Sequence, residues 1–136
     1  IPVSTILEAV GDYLQTQGEG TLGTNLFLAV MPETPDVCVA VYENAGSRPM
    51  FTMGSDPWSI DQPLIQVICR AGRGDYPIAR NKAETIRATL GAIVDTTISS
   101  IPIMRMESQG SVVPLGEDDN QRPLISMNFE CMVRYS

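Results

Sequence analysis

A chain of 136 residues has the length of one domain, and at that size roughly two-thirds of the unfolded surface is buried without help from disulfides or metals. Hydrophobic residues at 43% against 18% charged ones exclude a disordered chain, and no apolar run approaches the ~20 residues of a membrane span. Sixteen acids against nine bases leave a net charge of -7, which argues against a surface that grips phosphates.

The first expected element is a helix. Ser4 is a good N-cap for it, Ile6, Leu7, Val10 and Leu14 recur at three- and four-residue spacing, and Glu8 sits where the helix dipole favours an acid. Gly18 and Gly20 end it. The segment from Ile1 to Leu14 also lacks the basic start and apolar block of a signal peptide. Asn25 to Met31 and Val37 to Tyr42 are short runs of β-formers joined by Pro32-Glu33-Thr34-Pro35-Asp36, and they read as a hairpin-like pair covered on both faces. From Glu43 to Gln62 no period persists, so the segment reads as one long loop of about twenty residues, a length that is usually functional. Arg48, Met50, Phe51, Met53 and Trp58 stand in it. Either these side chains lie back over the core as a lid, or they settle against a neighbouring molecule, since aromatics, Met and Arg are enriched at interfaces.

Pro63 to Arg70 reads as a strand with Ile65, Val67 and Cys69 on one face, and Gly72 to Pro77 as its turn. A second helix follows, with Ala79, Ala83, Ile86, Leu90 and Ile93 on its buried side and Arg80, Lys82, Glu84 and Arg87 on the other. Ile101 to Glu107 and Ile125 to Tyr135 close the chain as strands, separated by Gln109-Gly110-Ser111 and the acidic turn Glu117-Asp118-Asp119. In the last strand Ile125, Met127, Phe129, Cys131, Val133 and Tyr135 point one way, while Ser126, Asn128, Glu130 and Arg134 point to a wet or partner-facing side. The expected architecture is a single α+β domain over 1–136. It has a mostly antiparallel or mixed sheet of about five strands, two helices packed on it and one long loop.

No histidine occurs, which removes the usual neutral-pH base and every His-dependent triad or metal set. Cys38, Cys69 and Cys131 are odd in number, lie inside apolar or alternating stretches, and have no metal-ligand spacing, so they read as buried thiols. Asp118 and Asp119 are adjacent in a turn and point apart, unlike a catalytic carboxylate pair. Gly72-Arg73-Gly74 lacks the phosphate-loop pattern, and Gly18, Gly20 and Gly23 precede a strand where a dinucleotide site needs them after one. No catalytic, cofactor or metal site is therefore expected. Arg122 has two readings: it closes its own turn on a nearby carboxylate, or it reaches an acid of a neighbour.

The order of motifs resembles a known family. Gly23-Thr24-Asn25-Leu26-Phe27-Leu28, Met31-Pro32, Pro35-Asp36 and Val39 to Gly46 are similar to the opening of the tail terminator, or minor capsid, proteins of long-tailed bacteriophages. Pro63 to Val67 with Arg70, the helix from Tyr76 to Leu90, and Pro114 to Asp119 with Arg122 and Asn128-Phe129 resemble the later blocks of that family, in the same order. Asn120-Gln121 stands before Arg122 where the family pattern has glycine. The resemblance implies a structural protein made in the host cytoplasm and carried in the tail or neck of the virion. It would form a ring, usually a hexamer, that caps the tail tube and joins it to the head-tail connector. Its partners would be copies of itself, the tail tube protein, the connector proteins and passing DNA that it does not bind specifically, with no membrane. On this view Arg48, Met50, Phe51, Met53, Trp58 and Arg122 serve contacts between molecules. Glu117, Asp118, Asp119 and Glu130 face the DNA passage, where like-charge repulsion keeps DNA from adhering. The rivals are another neck protein, such as a head-completion or adaptor subunit, and a small α+β enzyme or binding domain.

Overall fold

The computed structural model describes residues 6–51, 59–98, 101–110 and 112–135, with side chains described at 6–43, 62–98, 101–110 and 112–133. The chain runs α1 (Ile6–Thr16), β1 (Leu26–Leu28), β2 (Cys38–Phe51), β3 (Ser59–Arg70), α2 (Tyr76–Gly91), β4 (Val94–Ile98), β5 (Ile101–Ser108), β6 (Val113–Glu117) and β7 (Pro123–Tyr135). The strands form one sheet in the order β1-β2-β3-β7-β5-β4, and β6 pairs with β7 on the edge that β5 uses further along. All pairings are antiparallel except β1 with β2. The architecture is α+β, as the sequence leads one to expect.

Alternation in β7 organises the core. Ile125, Met127, Phe129, Cys131 and Val133 are all buried, and they meet Ile65, Val67 and Cys69 of β3 on the same side of the sheet. Both helices close this side. α2 offers Ala79, Ala83, Ile86 and Leu90 to β3, β5 and β7, while α1 offers Ala9, Val10 and Leu14 and touches β1, β2 and also β4. One helix can reach strands at both ends of the strand order only because the sheet curls round it.

Four local expectations change. β1 and β2 do not form a hairpin but run parallel, Leu26 opposite Val39, because the prolines of 32–37 route the chain around the sheet end rather than turning it back. The long loop is largely strand: β2 and β3 continue as a paired arm in which Met50 is opposite Ile60 and Phe51 opposite Ser59. Two register shifts, Asn44/Ser47 and Ser47/Met50, erase the alternation that would have marked β2, and Gly46 and Pro49 fall inside them. Two further strands, β4 and β6, raise the count from about five to seven. Both are fully or almost fully exposed and so carry no buried face for a pattern to reveal. Finally, Ser126 on the polar side of β7 is buried and its hydroxyl accepts from Gln66 Nε2 at 3.1 Å. The helix cap expected at Ser4 lies outside the described residues.

Candidate functional site

The β6–β7 turn is built around one carboxylate. Asp118 Oδ1 accepts from the backbone N–H groups of Asn120 at 3.0 Å and Arg122 at 2.9 Å, and Oδ2 accepts from Arg122 Nε at 2.8 Å. Gln121, at φ 60, takes the left-handed position that such a turn requires and that glycine would fill at lower cost. Arg122 thus closes its own turn, and its side chain, 5% exposed, goes further. It donates to the backbone carbonyl of Glu33, and its two terminal nitrogens reach Asp36 Oδ1 and Glu33 Oε2, each at 3.1 Å. Asn120 Nδ2 adds a bond to Glu33 at 2.8 Å.

A second buried arginine holds the same strap from the other side. Arg70, at the end of β3, donates to the carbonyls of Pro32 at 2.6 Å, Pro35 at 2.7 Å and Asp36 at 3.0 Å. The strap lies outside the strand ladders, so its carbonyls take their donors from the two guanidinium forks instead. Arg70 and Arg122 thereby tie the strap to the end of β3 and to the acidic turn.

Burial by itself would raise the Asp118 carboxyl, but the Arg122 N–H, the Arg122 guanidinium and the Asn120 N–H outweigh it and hold the group below its ordinary 3.8. Stability from a lowered carboxyl is fully present above the unfolded value and is lost as pH falls through the folded one. The difference in urea midpoint between wild type and Asp118→Asn should hold constant from about pH 7 to about pH 5 and shrink below about pH 4. A difference still undiminished near pH 2 would contradict this account.

The remaining sequence-predicted residues are dispersed. Glu117 and Asp119 are exposed on the turn, whereas Glu130 sits seven residues beyond Pro123 on β7, roughly 23 Å away at the rise of a strand. Glu130 accepts from Gln109 Nε2 at 2.7 Å and is the register partner of Glu107, so two carboxylates stand side by side on the outer face of the sheet. Arg48, Met50 and Phe51 lie on the arm of β2, with side chains outside the described residues, as are Met53 and Trp58 altogether. The three cysteines are free and buried, and burial pushes the Cys69 and Cys131 thiols up to about 12. Among the described residues no group of three or more His, Cys, Asp or Glu could hold a metal ion.

Sequence reasoning missed Arg70, Glu33, Asp36, Glu107 and Glu19. A charge ending an apolar strand, as Arg70 does, was the available signal for the first. Glu19 lines an open cleft of about 480 Å³ between α2 and the β1–β2 end of the sheet. Its side chain is 10% exposed, and Oε2 has no hydrogen-bond partner, the nearest cation being Lys82 Nζ at 3.5 Å.

Among the described residues this arrangement presents braced turns and exposed surfaces. No curated protein matches the sequence. A solved chain from the "virion of native gene transfer agent (GTA) particle" shares the fold at a TM-score of 0.59 and 15% identity, covering 96% of this chain and 99% of that one. The family described as bacteriophage tail terminator protein, a structural virion family and not an enzymatic one, matches residues 13–135, and this chain belongs to it.

Proposed function

We propose that six copies of this protein form a closed ring that caps the tail tube, joins it to the head-tail connector and leaves a passage for DNA. The observation that carries this reading is the family match over residues 13–135. The free strand edges support a closed assembly over an open one. β1 has three residues and is followed by Ala29 at φ 64, β4 contains Asp95 at φ 45, and β6 contains Pro114 and Gly116 at φ 89. Short, kinked edges resist indefinite strand addition, which leaves side-chain surfaces to make the contacts. A ring needs one patch to meet a different patch on the next copy.

In this reading the protein is made in the host cytoplasm and ends in the tail or neck of the particle. Arg48, Met50 and Phe51 of β2, together with Met53 and Trp58 in the sequence that follows, bear on neighbouring molecules, and Arg122 braces the β6–β7 turn. Glu117, Asp118, Asp119 and Glu130 line the passage, together with Glu107 beside Glu130. Asp118 contributes least to the field because Arg122 balances it. DNA is repelled and not bound.

Two measurements test this. Particles made without the protein should show tails unattached to heads in electron micrographs, and a normal yield of joined particles would refute the joining role. Replacing Glu117 and Asp119 with Lys should leave the unfolding midpoint almost unchanged, since both are exposed, while DNA delivery per assembled particle falls. Unaltered delivery would move the passage away from this turn.

A further inference from the structure

The start of α2 and the β6–β7 hairpin flank an open cleft of about 240 Å³. Its walls are apolar: Tyr76 from α2, Pro114 from β6, and Pro123 and Leu124 from β7. Gly74 and Gly116 line it as well, both at positive φ, 79 and 89, and a side chain at either would meet nothing within 4 Å beyond its chain neighbours. Those two points leave room for a side chain of another molecule. β6 is exposed along its whole length, although Val113 to Gly116 carries no charge. An exposed apolar edge strand of this kind is a surface that an assembly covers.

Charge selects what covers it. Glu117 stands exposed at the rim, so a base beside the entering apolar group complements it. A second copy of this chain, with its net charge of -7, suits that role poorly. Among the described residues Arg70 and Arg122 are buried, and Arg80, Lys82, Arg87 and Arg105 stand against acids of their own chain. Arg73, exposed, is next in sequence to the cleft itself.

We propose that this cleft docks an extended segment of one of the proteins that the ring joins. In that segment an aliphatic or aromatic side chain enters among Tyr76, Pro114 and Leu124, and a neighbouring lysine or arginine meets Glu117. This rests on the joining role above and names the surface through which it acts, with Glu117 placed where that surface meets the passage. A large apolar group seated in a preformed pocket is the anchor type that contributes most to an interface.

The test replaces Tyr76, which is 44% exposed, by the photo-reactive p-benzoylphenylalanine. Particles seen to be joined in micrographs are irradiated, and the linked peptides are read by mass spectrometry. The expected link runs to a different particle protein, at an apolar residue next to a lysine or arginine. A link to another copy of this chain, a link to a segment without such a base, or no link at all would overturn the docking. None of these outcomes touches the joining role, which fails only if particles made without the protein are joined normally. As a second measurement, Tyr76→Ala and Glu117→Lys should each lower the yield of joined particles about tenfold, with unfolding midpoints almost unchanged because both side chains are exposed. Glu117→Gln should lower it less, since it removes the attraction without adding repulsion. A wild-type yield from either Tyr76→Ala or Glu117→Lys would overturn the proposal.

Discussion

Phe129→Ala should cost the protein about 3–5 kcal/mol, the loss expected when a fully buried aromatic leaves a cavity. Phe129 is fully buried at the middle of β7, paired with Ile65 of β3 on one side and Ser108 of β5 on the other. It faces the side of the sheet that both helices close, and there the surrounding strands are fixed on two edges, so little collapse can refill the space. Phe129→Leu, which keeps most of the volume, should cost no more than about 1.5 kcal/mol. Urea unfolding of the two variants measures both. A loss for the alanine variant under about 1 kcal/mol would mean that the core is not centred on this strand.

The second large effect is expected at Arg70. Its guanidinium is the donor for three carbonyls of the 32–36 strap, and Arg70→Ala would leave all three without that partner. Hydrogen bonds to a charged group contribute about 1.5–3 kcal/mol each and do not add in full, so a loss of about 3 kcal/mol is expected. Arg70→Lys should fall between, because a single ammonium cannot span the three acceptors as a planar fork does. An unfolding midpoint of Arg70→Ala equal to wild type would show that the strap is held by Arg122 and its own stiffness alone.

What could be read from the chain follows from burial. β7 and α2 were legible because Ile125 to Val133 alternate and Ala79, Ala83, Ile86 and Leu90 repeat along a helical stripe, and each pattern maps onto one buried face. β4 and β6 were not, because Val94 to Thr97 and Val113 to Glu117 are exposed on both sides and their pairing is decided by the strands beside them. The β2 arm was hidden by its register shifts. The parallel placement of β1 depends on a strap whose carbonyls are satisfied by Arg70 and Arg122, residues 34 or more positions away in sequence from the groups they hold. No local pattern can carry such a partnership. At the acidic turn the sequence left Arg122 two readings, its own turn or a neighbour's acid, and it closes its own turn on Asp118, four residues back, while also pairing with Glu33 and Asp36.

Assembly is the central claim, and the copy number and position of this protein in intact particles test it most directly. A reconstruction of the neck should place six copies in a closed ring between the tail tube and the head-tail connector, with DNA passing through the opening. A single copy, an open helical array, or a position away from the tail end would contradict the account.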